Sequence, residues 1–241
     1  GAAGKAATAT KAAKALDAAA LAARVAQVQK AAGISATAAQ NAASTFAELV
    51  DKGVPMEDAY LGAGITVRRI LPASEQRSGG PFVFLDHIGP VTCKPGAGMD
   101  VRPHPHIGLA TVTYLFEGEI LHRDSLGFVQ PIRPGDVNWM TAGKGIVHSE
   151  RTSDELRARG FDLHGLQSWV GLPKEAEEIA PSFHHHPSGV LPEWTEGGVA
   201  LKLIAGKSFG RESPVKVYAE TLYVAAVFEA GAELDLPDEH E

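Results

Sequence analysis

The sequence is poor in the residues that most simply announce a function. It has one cysteine, Cys93, in 241 residues. That excludes an intramolecular disulfide and any multi-cysteine zinc site, and it fits a reducing compartment. No stretch approaches the roughly 18–20 consecutive apolar residues of a membrane-crossing helix, so no transmembrane helix is expected. There is no basic excess: 22 Lys and Arg stand against 29 Asp and Glu, a formal net charge of −7. Non-specific nucleic-acid binding, which needs a basic face, is therefore not expected. The hydrophobic content of 44% is that of an ordinary globular chain, and at roughly 150 residues per domain the length allows one or two domains. What the sequence does have is ten histidines, and their placement carries the rest of the reading.

Composition changes near residue 60. Residues 1–50 contain 22 alanines and few large apolar side chains. Alanine has the highest helix propensity, so this part is expected to be helical. Leu16, Leu21, Val25 and Val28 form a thin apolar stripe, Gly33 is a stop, and Ser35 or Thr37 can cap a second helix running to about Asp51. Alanine buries little area, so such helices build no strong core by themselves. A basic, acid-poor start with one Arg and few Ser is a weak match to a transit peptide; an accessory helical hairpin is the favoured reading. Met56 lies just before the change in composition, which fits residues 1–55 being separate from the functional unit.

From Gly64 onward the texture is β. Runs rich in Val, Ile, Thr, Phe and Tyr fall at Ile65–Ile70, Phe82–Leu85, Leu109–Phe116, Phe128–Ile132 and Asp136–Met140, with Gly and Pro between them. Turn signals every 8–12 residues or so point to an all-β sandwich or barrel. Only Ser153–Arg159 looks helical in this part. Further strands are expected at Val199–Ala205, Leu222–Phe228 and Glu233–Leu236.

The chemistry centres on Pro103-His104-Pro105-His106. Residues i and i+2 of an extended chain share a face, and proline disfavours helix for the residue before it. His104 and His106 should therefore project together from a strand. Forty-two residues after His106 comes His148-Ser149-Glu150, a second i, i+2 pair. On neighbouring strands the two pairs can bring three imidazoles and one carboxylate to a point. Three nitrogens and one oxygen suit a borderline divalent metal such as Fe, Mn, Ni, Cu or Zn. Four protein ligands of an octahedral ion leave two positions for water, dioxygen or substrate, whereas a tetrahedral zinc would be closed. The pattern leans towards iron-like chemistry without fixing the metal.

Three motifs extend this pattern: His104-Pro-His106-Ile-Gly-Leu-Ala-Thr-Val-Thr-Tyr114, Glu117-Gly-Glu-Ile-Leu-His122-Arg-Asp-Ser125 and Pro134-Gly-Asp-Val-Asn-Trp-Met-Thr-Ala-Gly-Lys-Gly-Ile-Val-His148-Ser-Glu150. Together they resemble the first cupin domain of the pirin family. His164-Gly-Leu-Gln-Ser-Trp-Val-Gly-Leu-Pro173 and Leu203-Ile-Ala-Gly-Lys-Ser-Phe-Gly-Arg-Glu-Ser-Pro214 are also similar to it. The resemblance spans about residues 64–241. It implies a bicupin of two facing β-barrels with one metal, usually iron, in the N-terminal barrel. The family's ligands fall on His104, His106, His148 and Glu150. It also implies activity of the quercetin 2,3-dioxygenase type or, in some members, action as a metal-dependent regulatory partner. The expected organisation is a helical extension over 1–61, a metal-binding cupin over 62–180, and over 181–241 a linker with the first strands of an incomplete second cupin. The Ala-rich start lies outside the family pattern, and an unfinished sheet would expose edge strands and apolar surface.

Two functional readings follow. In the first, an iron-dependent dioxygenase binds a flavonol-like substrate through a hydroxyl oxygen, with Glu150 as ligand and, if it loosens, as the base that takes the hydroxyl proton. In the second, a non-enzymatic, metal-dependent regulator docks on a protein partner, without direct nucleic-acid or membrane contact. A cytoplasmic location is expected, with organelle targeting by the N-terminal segment as the alternative. Other residues take blander roles. His87, His122 and His164 are read as structural hydrogen-bonding groups, and His184-His185-His186 as a loop before Pro187. Thr141-Ala-Gly-Lys-Gly-Ile is read as a turn that delivers His148, with Lys144 a minor candidate to face a ligand, Cys93 as buried, and Trp139 and Met140 as core.

Overall fold

A computed structural model describes Ile65 and residues 67–74, 76–235 and 237. The expected N-terminal helices lie outside the described residues. Fifteen strands and one short α-helix are found among the described residues.

Two sheets form the main body. The first has six strands: β1 (Val67–Leu71), β2 (Phe82–Cys93), β4 (Leu109–Glu117), β7 (Val137–Thr141), β9 (Phe161–Gly171) and β10 (Ser182–His186), in the order β1-β2-β9-β4-β7-β10. The second has four: β3 (Asp100–His106), β5 (Ile120–Asp124), β6 (Val129–Ile132) and β8 (Ile146–Arg151), in the order β3-β8-β5-β6. Every pairing within them is antiparallel. Ile88, Val101, Leu115, Ile120, Ile132 and Leu163 come from both sheets and form one buried cluster between them. Met140, Ile146 and Phe183 close the other end. The result is the cupin β-sandwich that the turn spacing and the motif resemblance suggested.

Strand β4 shows why the sequence reads as it does. Ala110, Val112 and Tyr114 alternate with Thr111, Thr113 and Leu115, and all six are buried. The first set packs away from the four-stranded sheet, with Val137, Trp139, Val170, Leu191, Ile204 and Ala205. A third layer supplies the last two residues through β12 (Val199–Ala205), which pairs with β11 (Glu193–Glu196) and β15 (Tyr223–Phe228). The six-stranded sheet is thus covered on both faces, and Trp139 and Met140 point into different cores. Next in the chain, β13 (Lys207–Ser208) and β14 (Arg211–Glu212) form a small two-stranded hairpin.

The expected helix is α1 (Asp154–Arg159), with Ser153 at its N-cap. Several details differ from expectation. The strand expected to stop at Leu85 continues to Cys93: Asp86, Ile88 and Val91 extend the ladder with β9, and a register shift between Ile88 and Val91 accommodates Gly89-Pro90. The histidine run 184–186 is strand, not loop, because all five residues of β10 pair with β7 and Phe183 is buried against the core. This strand lies just past the expected boundary near residue 180 and belongs to the first sheet. Residues 233–235 form no strand, and Leu236 lies outside the described residues.

Candidate metal centre

Strands β3 and β8 are antiparallel neighbours, and His104 lies directly opposite His148 in their register. His106 is two residues along on the same face. The side chains of His104, His106 and His148 place ligand atoms within 4.8 Å of one another. His106 Nε2 is 3.1 Å from His148 Nε2, and the ring of His104 is 4.4 Å from that of His148, centroid to centroid. His106 and His148 are buried.

Electrostatics prepares the cluster for a cation. Burial pushes the His104 imidazole down to about 4, and it holds His106 and His148 well below the ordinary imidazole value, with neighbouring imidazoles adding to the effect. All three are neutral at pH 7, as ligands must be. His104 Nδ1–H donates to the Arg102 carbonyl oxygen at 2.8 Å, which makes Nε2 the donor atom available to a metal. A buried set of neutral nitrogens without thiolate suits a divalent transition metal.

Glu150 lies two residues beyond His148 on β8 and is also buried. Its carboxylate stands outside the group of three, held by the Thr113 hydroxyl at 3.1 Å. The same hydroxyl is 2.8 Å from Gln167 Oε1. One proton cannot serve both oxygens. With its amide turned over, Gln167 donates to the Thr113 oxygen, whose own proton then goes to Glu150. Burial pushes the Glu150 carboxyl up, against the downward pull of His122 and Thr113.

Several neighbours went unremarked in the sequence. Trp169 packs its ring edge to face with His106 at 5.0 Å and is itself stacked by Phe84 at 4.2 Å, with the Arg69 guanidinium over Phe84 at 4.3 Å. Thr113, Gln167 and Trp169 follow from strand alternation: Thr113 faces Gln167 and Thr111 faces Trp169 across β4 and β9. His122, read as structural, touches the site directly, with its Nδ1 3.3 Å from His148 Nδ1. His87 and His164 pair with each other at 2.7 Å instead. His185 Nδ1 bonds Asn138, and Lys144 is exposed.

Comparison with known proteins sets this geometry in a family. Residues 64–170 match the Pirin family model. A pirin-like protein of Caulobacter vibrioides is 53% identical over 177 residues, 72% of this chain and 61% of its own length. The chain belongs to the pirin family. Mouse pirin is 37% identical over 177 residues, 73% of this chain and 58% of its own. A crystal structure of quercetin 2,3-dioxygenase from Acinetobacter baumannii superposes with a TM-score of 0.63 at 36% identity, covering 72% of this chain and 60% of that one. The chain thus spans only about three fifths of these relatives. In this pirin-family chain the motif histidines are the ones that converge, and no described helix is long and apolar enough to cross a membrane.

Proposed function

We propose that this pirin-family chain is an iron-dependent dioxygenase acting on quercetin-like flavonols, with His104, His106, His148 and Glu150 holding Fe2+. The observation that carries the reading is the convergence of three neutral imidazoles, two of them buried and that of His104 half-buried, beside a buried carboxylate. The likeness to a solved quercetin 2,3-dioxygenase at 36% identity supports the substrate class. The metal would supply Lewis-acid activation of a bound hydroxyl and access to dioxygen.

The chain's own residues do the rest. The three imidazoles would hold the ion through their ring nitrogens. Glu150 accepts the substrate hydroxyl proton on a carboxylate oxygen, and its burial makes it a stronger base than an exposed glutamate. Thr113 orients that carboxylate through its hydroxyl. Trp169 gives the cluster an apolar aromatic wall beside His106, suited to a flat phenolic ring.

The test is metal analysis by mass spectrometry on the purified chain and on His104→Ala and Glu150→Ala, with oxygen uptake measured in the presence of quercetin. About one iron per chain, lost together with oxygen uptake in the variants, supports the reading. One metal per chain without oxygen uptake shifts it to a metal-dependent regulator acting through a protein partner. Metal content unchanged by the substitutions overturns the ligand set.

A further inference from the structure

We propose that Asp124 and His122 are positioning residues that fix the tautomer of His148 and so create its metal-donor nitrogen. The inference rests on the reading that the three imidazoles hold a metal. It starts from a hydrogen-bonded line running from a buried carboxylate to the cluster. Asp124 Oδ2 lies 2.9 Å from His122 Nε2, and His122 Nδ1 lies 3.3 Å from His148 Nδ1. The side chains of His122 and Asp124 are 4% and 0% exposed, so solvent does not compete along this line. Phe183 stacks flat on His122 at 4.3 Å and 11°, fixing the plane of the ring.

The donor and acceptor roles follow in order. A carboxylate only accepts, so His122 carries its proton on Nε2 and donates it to Asp124. Its Nδ1 then has a lone pair, and His148 Nδ1–H donates to it. His148 is left with its lone pair on Nε2, the atom that faces His106 Nε2 at 3.1 Å. Outer partners of this kind typically change metal affinity about 10–100-fold when altered. His122 and Asp124 occupy i and i+2 of β5, so strand alternation puts both on the site face.

The other oxygen of Asp124 makes the test sharp. Oδ1 accepts the backbone N–H groups of Leu126 and Phe128, at 2.9 and 3.1 Å. In Asp124→Asn the amide oxygen is held by those two donors, and the NH2 is turned towards His122 Nε2. The proton of His122 is then driven to Nδ1, and that of His148 to Nε2, where it blocks the metal. A residue that merely ties the loop would be replaced by Asn without loss.

The experiment combines two readouts on the full chain. Long-range 15N–1H correlation spectra of the metal-depleted protein report each imidazole tautomer. Competition with a chromogenic chelator reports Co2+ and Zn2+ affinity. The expected result is His148 as the Nδ1–H tautomer in the parent and Nε2–H in Asp124→Asn, with affinity about 10–100-fold weaker. His122→Phe keeps the stack on Phe183 and removes the acceptor, and it should weaken affinity similarly if Asp124→Asn does not fold. Parent-like tautomer and affinity in a folded Asp124→Asn overturn the proposal, and so does a parent His148 protonated on Nε2. If the parent binds neither metal, the reading of the cluster as a metal centre fails, while the tautomer switch in the spectra still decides the relay.

Discussion

His106 Nε2 and His148 Nε2 face one another at 3.1 Å across the β3–β8 pair. At most one of two such nitrogens can carry a proton without a clash of donors, so an incoming cation has at most one proton to displace from this contact. With His104 fixed through Arg102, the cluster leaves little freedom in how a metal is held. Removal of one imidazole should therefore be severe. His106→Ala and His148→Ala are expected to lower Co2+ affinity by more than the ~100-fold typical of an outer partner. His87→Ala, whose ring pairs with His164 instead, should leave it unchanged. Chelator competition on folded variants checks both.

The buried imidazoles also set a pH dependence of the metal-depleted protein. Their pKa values in the folded state lie below the ordinary 6.5, that of His104 at about 4. As pH falls from 6.5, the unfolded chain takes up protons first, so the stability these groups allow above 6.5 is lost on the way towards pH 4. Each imidazole contributes up to about 1.4 kcal/mol per pH unit in that window. Glu150 acts oppositely: its pKa is raised, so its cost appears as pH rises above 4.5. Thermal unfolding between pH 7.5 and 5 should show a falling Tm. The combined His104→Asn, His106→Asn, His148→Asn variant should flatten it. Bound metal should be retained well below pH 6.5, because protons compete weakly for these nitrogens.

Much of this was legible from residue order alone. The i, i+2 spacing at 104/106 and at 148/150 survives folding because a strand has a fixed period of two, and β3 and β8 pair so that His104 lies opposite His148 while Glu150 falls opposite Val101. Strand Val199–Ala205 was legible to the residue, since a short, mostly apolar run bounded by Gly198 and Gly206 has few alternatives. Less legible was anything set by tertiary pairing. The run 184–186 looked like a loop because three histidines have no strong strand propensity; pairing with β7 and burial of Phe183 overrode that. His122 looked structural because its role depends on a neighbouring strand, β8, which sequence spacing does not reveal.

The turn before His148 makes a separate prediction. Gly143 has φ +51, and a Cβ there would lie 2.2 Å from the Ile179 carbonyl oxygen. Lys144 N–H donates to that same oxygen, so the strap at Ile179 cannot move away without losing a bond. Gly143→Ala thus meets both a backbone conformation that alanine disfavours and a collision with main chain. A loss of about 2–4 kcal/mol in unfolding free energy is expected, at the upper end of single substitutions. Gly127, with φ +93 but open space around it, should cost less on the same change, through strain alone. Denaturant unfolding of the two variants separates strain from collision.

Thr113 offers a test of the base. Its hydroxyl supplies a proton to Glu150 inside a buried site, and hydrogen bonding to the charged form lowers a carboxyl pKa. Thr113→Val keeps the shape and removes the bond, so Glu150 should hold its proton to higher pH. The acid limb of oxygen uptake with quercetin should move to higher pH, with the plateau rate less affected. Leaving a buried carboxylate short of a donor should also cost about 1–3 kcal/mol in stability near neutral pH. Thr113→Ser, which retains the hydroxyl, should restore the pH limb while losing only a methyl contact. An unmoved limb in Thr113→Val would remove Glu150 from the role of proton acceptor, because no base that titrates in this reaction could lose its buried donor and keep the same pKa.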